Sequence, residues 1–148
     1  MSITLQNVPR SARQRGVMLD SSAAFAKLDA DDQWHEKAVR GFDLLVQEKR
    51  PLYVTSLIIA ETHGLISSRL DDLAGIEWLD SLRTYNVIFH SSQDHSRVLG
   101  LLRKTQGKGF PYADAFSFLV MEDLGVRLAF TFDHHFQDYG WEIFPGPL

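Results

Sequence analysis

Five short apolar runs, at 16–19, 52–54, 86–89, 128–132 and 141–144, are parted by longer stretches with helical periodicity. The second helical stretch, for example, places Ala38, Phe42, Leu45 and Val46 on one stripe. Helices are expected over 21–28, 32–49, 56–69, 72–82, 94–104 and 112–124, with Gly125 closing the last. A short turn or helix should follow the fourth run. Strands that alternate with helices make βαβ crossovers, which pair strands in parallel and cover both faces of the sheet. The expectation is therefore an α/β fold with a central, mainly parallel sheet of four to five strands.

A chain of 148 residues can bury roughly two thirds of its unfolded surface, enough for a core without covalent staples. It has no cysteine, so disulfides and thiolate metal sites are excluded, which fits a reducing cytoplasm. No apolar stretch approaches the roughly eighteen residues of a membrane helix. Residues 1–15 contain Arg10, Arg13 and Arg15, no acid, and no apolar signal-peptide core. They read as a flexible N-terminal arm, leaving residues 16–148 as one domain. The net charge of −4 speaks against a broad nucleic-acid-binding surface. It leaves room for a small acidic site that meets nucleic acid through cations.

In an open parallel sheet, ligands gather beyond the carboxyl ends of the strands. Asp20 follows the first run and Asp133 follows the fourth. Asp114 stands in the first turn of the apolar helix, where complementing the helix dipole is an alternative role. Asp20 is likewise a competent helix cap. Glu61 lies near the line of Ile58 and Leu65, and an acid on a core-facing stripe demands a compensating cation or donor. Two carboxylates 4 Å apart repel by roughly 4 kcal/mol at an effective dielectric of 20. If the four converge, they need a cation, and an oxygen-only set favours Mg²⁺ or Mn²⁺. Such a pocket suits phosphodiester cleavage.

The segments "MLDSSAAFAKLDADDQWHEKA", "VTSLIIAETHGLI" and "YADAFSFLVMEDLGVRLAFTFDHHF" occur in the order of one known family. Together they resemble the PIN-domain ribonucleases, specifically VapC-type toxins of toxin–antitoxin pairs. The resemblance spans about residues 17–144. It implies a three-layer α/β/α PIN-like fold with Asp20, Glu61, Asp114 and Asp133 as the catalytic acids. By that resemblance Asp20, Asp114 and Asp133 ligate Mg²⁺ or Mn²⁺, and Ser22 and Thr131 are supporting hydroxyls. It also implies an RNA substrate, a cognate antitoxin and a homodimer. Two other readings stand beside it: a PIN-like binding module without catalysis, and a small α/β nucleotide phosphohydrolase.

Other signals are weaker. Glu61 and His63 are two apart on a helix and do not share a face. "GKGF" lacks the residues of a P-loop, and no G-x-S-x-G elbow is present. Arg97, Arg103, Lys104 and Lys108 read as a solvated face or as phosphate contacts. Asp31, Asp32 and His35 read as a helix cap and turn. His134 and His135 are assigned to the turn after the fourth strand rather than to a metal, with Phe132 and Phe136 anchoring that turn.

Overall fold

The structure, a computed structural model, describes residues 15–146. Of the N-terminal arm only Arg15 falls within them. Its guanidinium donates to the Glu48 carbonyl at 2.7 Å, which ties it to the fold.

Strands β1 (Val17–Leu19), β2 (Leu52–Thr55), β3 (Asn86–Ile88), β4 (Leu128–Phe130) and β5 (Glu142–Phe144) form one sheet in the order β3-β2-β1-β4-β5. All four pairings are parallel, with Val17 opposite both Leu52 and Leu128. Helices α1 (Ser21–Leu28), α2 (His35–Gln47), α3 (Ser56–Arg69) and α4 (Asp72–Ser81) carry the chain from β1 to β3. Helices α5 (Ser92–Lys104) and α6 (Tyr112–Leu124) lead back to β4, and α7 (His135–Tyr139) joins β4 to β5. The expected three-layer α/β/α architecture is present.

The two faces follow from the period-two alternation of strand side chains. Val17, Leu19, Val54, Val87 and Phe130 join the core under α1–α4. Met18, Tyr53, Ala129 and Ile143 join the second core, under α5–α7. Helix α6 is buried on nearly every side, from Asp114 through Met121, which explains its apolar sequence. It ends where Gly125 takes φ +74° and Val126 N–H bonds Met121 C=O at 3.0 Å, a Schellman closure. Gly41 in α2 serves close approach instead. A Cβ there would lie 2.7 Å from Phe130 Cζ and 3.0 Å from Phe144 Cε1, so α2 rests on those rings. Among the described residues no helix is long and apolar enough to cross a membrane.

Three of the boundaries that differ from expectation have a visible cause. Helix α2 begins at His35, not Asp32, because the Asp29 and Asp32 carboxylates accept from the Asp31 and Trp34 N–H groups and hold turns that compete with helix. Strand β4 stops at Phe130, since Phe132 N–H bonds Ser22 Oγ and Asp133 N–H bonds Thr131 Oγ1 in place of a sheet partner. Helix α5 starts at Ser92, where the Asp94 carboxylate accepts from the Ser91 N–H at 2.8 Å.

Candidate active site

The sheet order reverses direction between β1 and β4, and the carboxyl edge at that point is where an open α/β sheet leaves a crevice. Asp20 leaves β1 there, its N–H bonded to Phe130 C=O at 3.0 Å. Its carboxylate is 3% exposed, and Oδ2 accepts from Ser22 Oγ and from Thr131 Oγ1, each at 2.8 Å. Thr131 Oγ1 in turn accepts the Asp133 N–H at 2.9 Å. Ser22 and Thr131 are thus the clamp that fixes Asp20 and the backbone of the β4 exit together. Burial pushes the Asp20 carboxyl above its ordinary range, and the two hydroxyl donors pull it partway back.

Asp114 enters from the first turn of α6. Burial, then the charges of Asp20, Asp133 and Glu61, push it up to about 8. The four acids therefore share one field, although they come from four separate pieces of chain. Glu61 arrives differently from the sequence reading. It is exposed, not part of the buried stripe, because that stripe runs through Ile58, Thr62 and Ile66, with the half-buried Leu65 and then Glu61 falling along its edge. It stands at the rim, and Ser21 Oγ–H donates to its Oε1 at 2.6 Å.

Of the two histidines, His134 stands at the cap of α7 as expected, while His135 does more than line the turn. His134 is exposed and pairs with Asp138 at 2.6 Å, which raises its pKa. His135 is not a turn filler. Its Nδ1 lies 3.0 Å from Asp114 Oδ2 and 3.0 Å from Asp133 Oδ1, while its own N–H bonds Asp133 Oδ1 at 3.1 Å. One donor atom of each of Asp133, His134 and His135 falls within a 4.8 Å group. An imidazole nitrogen between the two carboxylates holds their orientation. Phe132 and Phe136 are buried and anchor the turn as expected.

Asp133, with Ser21, Ser22 and His135 beside it, lines a cleft of about 610 Å³ whose other walls include Phe25, Trp34, Leu65, Arg69 and Phe132. Arg69 lies over the Phe25 ring, 5.3 Å from its centroid. Arg97 is turned away from phosphate duty by a bidentate pair with Asp123, both bonds 2.8 Å. A buried, oxygen-rich donor set with a surplus of negative charge and one imidazole fits a hard divalent cation.

No protein-family model matches the chain, and no curated protein matches it significantly. Solved structures do. VapC20 of Mycobacterium tuberculosis, described as a sarcin–ricin-loop-cleaving toxin, superposes with a TM-score of 0.75 at 23% identity, covering 84% of this chain and 95% of that one. VapBC2 of Rickettsia felis, solved on a DNA fragment from its promoter, gives 0.61 at 16% identity over 84% and 93%. FitAcB of Neisseria gonorrhoeae gives 0.59 at 16% over 86% and 96%. The chain therefore has a PIN-like fold, the fold shared by these VapC and FitAcB structures.

Proposed function

We propose that this protein is a metal-dependent endoribonuclease and the toxin of a type II toxin–antitoxin pair. The observation that carries the reading is the convergence of Asp20, Asp114, Asp133 and Glu61 at the β1/β4 crevice, with Asp114 pushed up to about 8 by burial and by the other three. Four acids so placed destabilise an empty site and favour a bound cation. Asp20, Asp114 and Asp133 would hold Mg²⁺ or Mn²⁺, with Glu61 completing the site. When bound, the cation supplies charge neutralisation at the attacked phosphate and activation of a water.

The chain's own residues set the geometry. Ser22 and Thr131 hold the Asp20 carboxylate from two sides. Ser21 fixes Glu61 at the rim, where its carboxylate can take a proton from water entering the cleft. His135 orients Asp114 and Asp133 through Nδ1. The RNA strand lies along the cleft, so its scissile phosphate meets the acids. Residues 16–148 make up the nuclease domain, a cytoplasmic antitoxin covers its cleft, and the toxin pairs as a homodimer. VapBC2 was solved as a toxin–antitoxin complex, which supports an antitoxin partner.

Purified protein incubated with total RNA and with a sarcin–ricin loop RNA, in Mg²⁺, Mn²⁺ or chelator, tests the reading. Endonucleolytic products that need the cation and vanish in Asp133→Asn are expected. Cleavage undiminished in Asp133→Asn, or hydrolysis of mononucleotides alone, refutes it. The sarcin–ricin loop is a reasoned first substrate because VapC20 acts there.

A further inference from the structure

A second cavity, of about 490 Å³, adjoins the acidic cleft and shares Trp34 and Phe132 with it. Its walls are Trp34, Leu44, Phe132 and Phe144, with Lys37 and Arg40 at the rim and no carboxylate among its lining residues. On a chain of net charge −4 this is a local reversal of sign. Among the described residues neither cation has a carboxylate partner. Lys37 Nζ instead stands over the Trp34 ring, 5.3 Å from its centroid. Leu44 is 43% exposed although it faces this hollow. Trp34 is stacked on Phe132, centroids 5.2 Å apart and planes 1° from parallel, so the ring is held as a fixed wall between the two cavities.

Apolar rings next to unpaired cations are the combination that binds single-stranded nucleic acid: bases lie on the rings and phosphates meet the charges. A purely apolar protein partner would gain nothing from two uncompensated cations, and burying them unpaired would weaken its binding. The position adds direction. Arg69 stands on the wall of the acidic cleft, and Lys37 and Arg40 stand beyond Trp34, so cations flank the acids where the strand would enter and leave.

We propose that this cavity is a nucleotide subsite for the RNA strand flanking the scissile phosphate, with Trp34 and Phe144 taking a base and Lys37 and Arg40 the adjoining phosphates. The assignment rests on the nuclease reading above and names residues that neither the acids nor their clamp require. The subsite reads stacking and charge rather than hydrogen-bond pattern, so it tolerates many bases and contributes affinity more than sequence choice.

The test uses the whole protein in chelator, which withholds the cation that cleavage needs, with a fluorescently labelled, ribose-methylated single-stranded RNA, followed by anisotropy across a salt series. The double variant Lys37→Ser with Arg40→Ser, both on exposed helix surface, is expected to bind about tenfold more weakly at low salt. Its log–log salt slope should be shallower by about 1.4, the loss of two phosphate contacts to a single strand. Trp34→Leu should also weaken binding about tenfold, with the slope unchanged, and Trp34→Phe should recover most of that loss. A double variant that binds like wild type overturns the subsite. The same unchanged affinity accompanied by a lower assembly mass in light scattering shows instead that this face meets a second copy of the chain. Failure of the wild-type protein both to bind this RNA and to cleave its unmethylated counterpart sinks the nuclease reading and the subsite together. Wild-type binding with an unaffected double variant sinks the subsite alone.

Discussion

Replacing Asp114 by asparagine is expected to stabilise the metal-free protein. The carboxyl is buried and pushed up to about 8, against 3.8 for the ordinary group. The native state therefore holds a proton that the unfolded chain has released, and wild-type stability falls as pH rises from about 4 through about 8. Between 3.8 and neutral pH, at 1.36 kcal/mol per pH unit, about 4 kcal/mol accumulates against the native state. His135 Nδ1, 3.0 Å from Asp114 Oδ2, can donate to the carboxyl and to an asparagine carbonyl alike, so this bond largely cancels in the comparison. The net gain for Asp114→Asn at neutral pH is then about 4 kcal/mol, or roughly 12 °C in melting temperature for a chain of this size. Asparagine keeps the shape and can still accept from His135, so little else changes. Thermal melts in chelator should show a gap that is small near pH 5 and widens toward pH 8. Added Mn²⁺ should raise the wild-type melting temperature far more than that of the variant. A variant that melts at or below wild type in chelator at pH 8, or a gap independent of pH, refutes the account of the site as a charge-frustrated cluster.

Three smaller substitutions probe the scaffold. Thr131→Val removes a donor to Asp20 and leaves the Asp133 N–H without its acceptor, at a cost of about 3 kcal/mol in urea unfolding. Gly41→Ala forces a Cβ to 2.7 Å from the fully buried Phe130 ring, and the overpacking of about 2 kcal/mol should outweigh the gain in helix propensity. Gly100→Ala, on α5 with nothing near the new methyl, should have the opposite sign and raise stability by up to about 1 kcal/mol. Equal denaturation midpoints for the two glycine variants would contradict the packing of α2 on β4.

The alternation of apolar runs made the architecture legible, because strand and helix periods are local properties that no distant contact had to override. The positions of Asp20 and Asp133 were legible for the same reason: a strand end in a parallel sheet has a predictable address. What escaped was set by contacts across long stretches of chain. The true end of β4 depends on Ser22 and Thr131 taking over the backbone N–H groups of Phe132 and Asp133, and no window of sequence contains both partners of the first bond. Glu61 was assigned a buried stripe because its spacing from Ile58 and Leu65 is near-helical, and a displacement of part of a turn moved it to the rim. His135 was misjudged because its role follows from Asp114, 21 positions earlier. Trp34 was quoted within a longer segment without a role, since its importance lies in joining two cavities.

The strand order has a consequence in time. Thr131 reaches Asp20 across 111 positions, and the strand that carries it docks between the first strand and the last. While the chain leaves the ribosome, β3, β2 and β1 can associate with their helices, but the acid cluster stays open until β4 has emerged and inserted. A translation product cut short before residue 131 lacks both the clamp on Asp20 and the fourth acid. The topology therefore withholds the four-acid cluster until synthesis is nearly over, so incomplete chains lack it by construction.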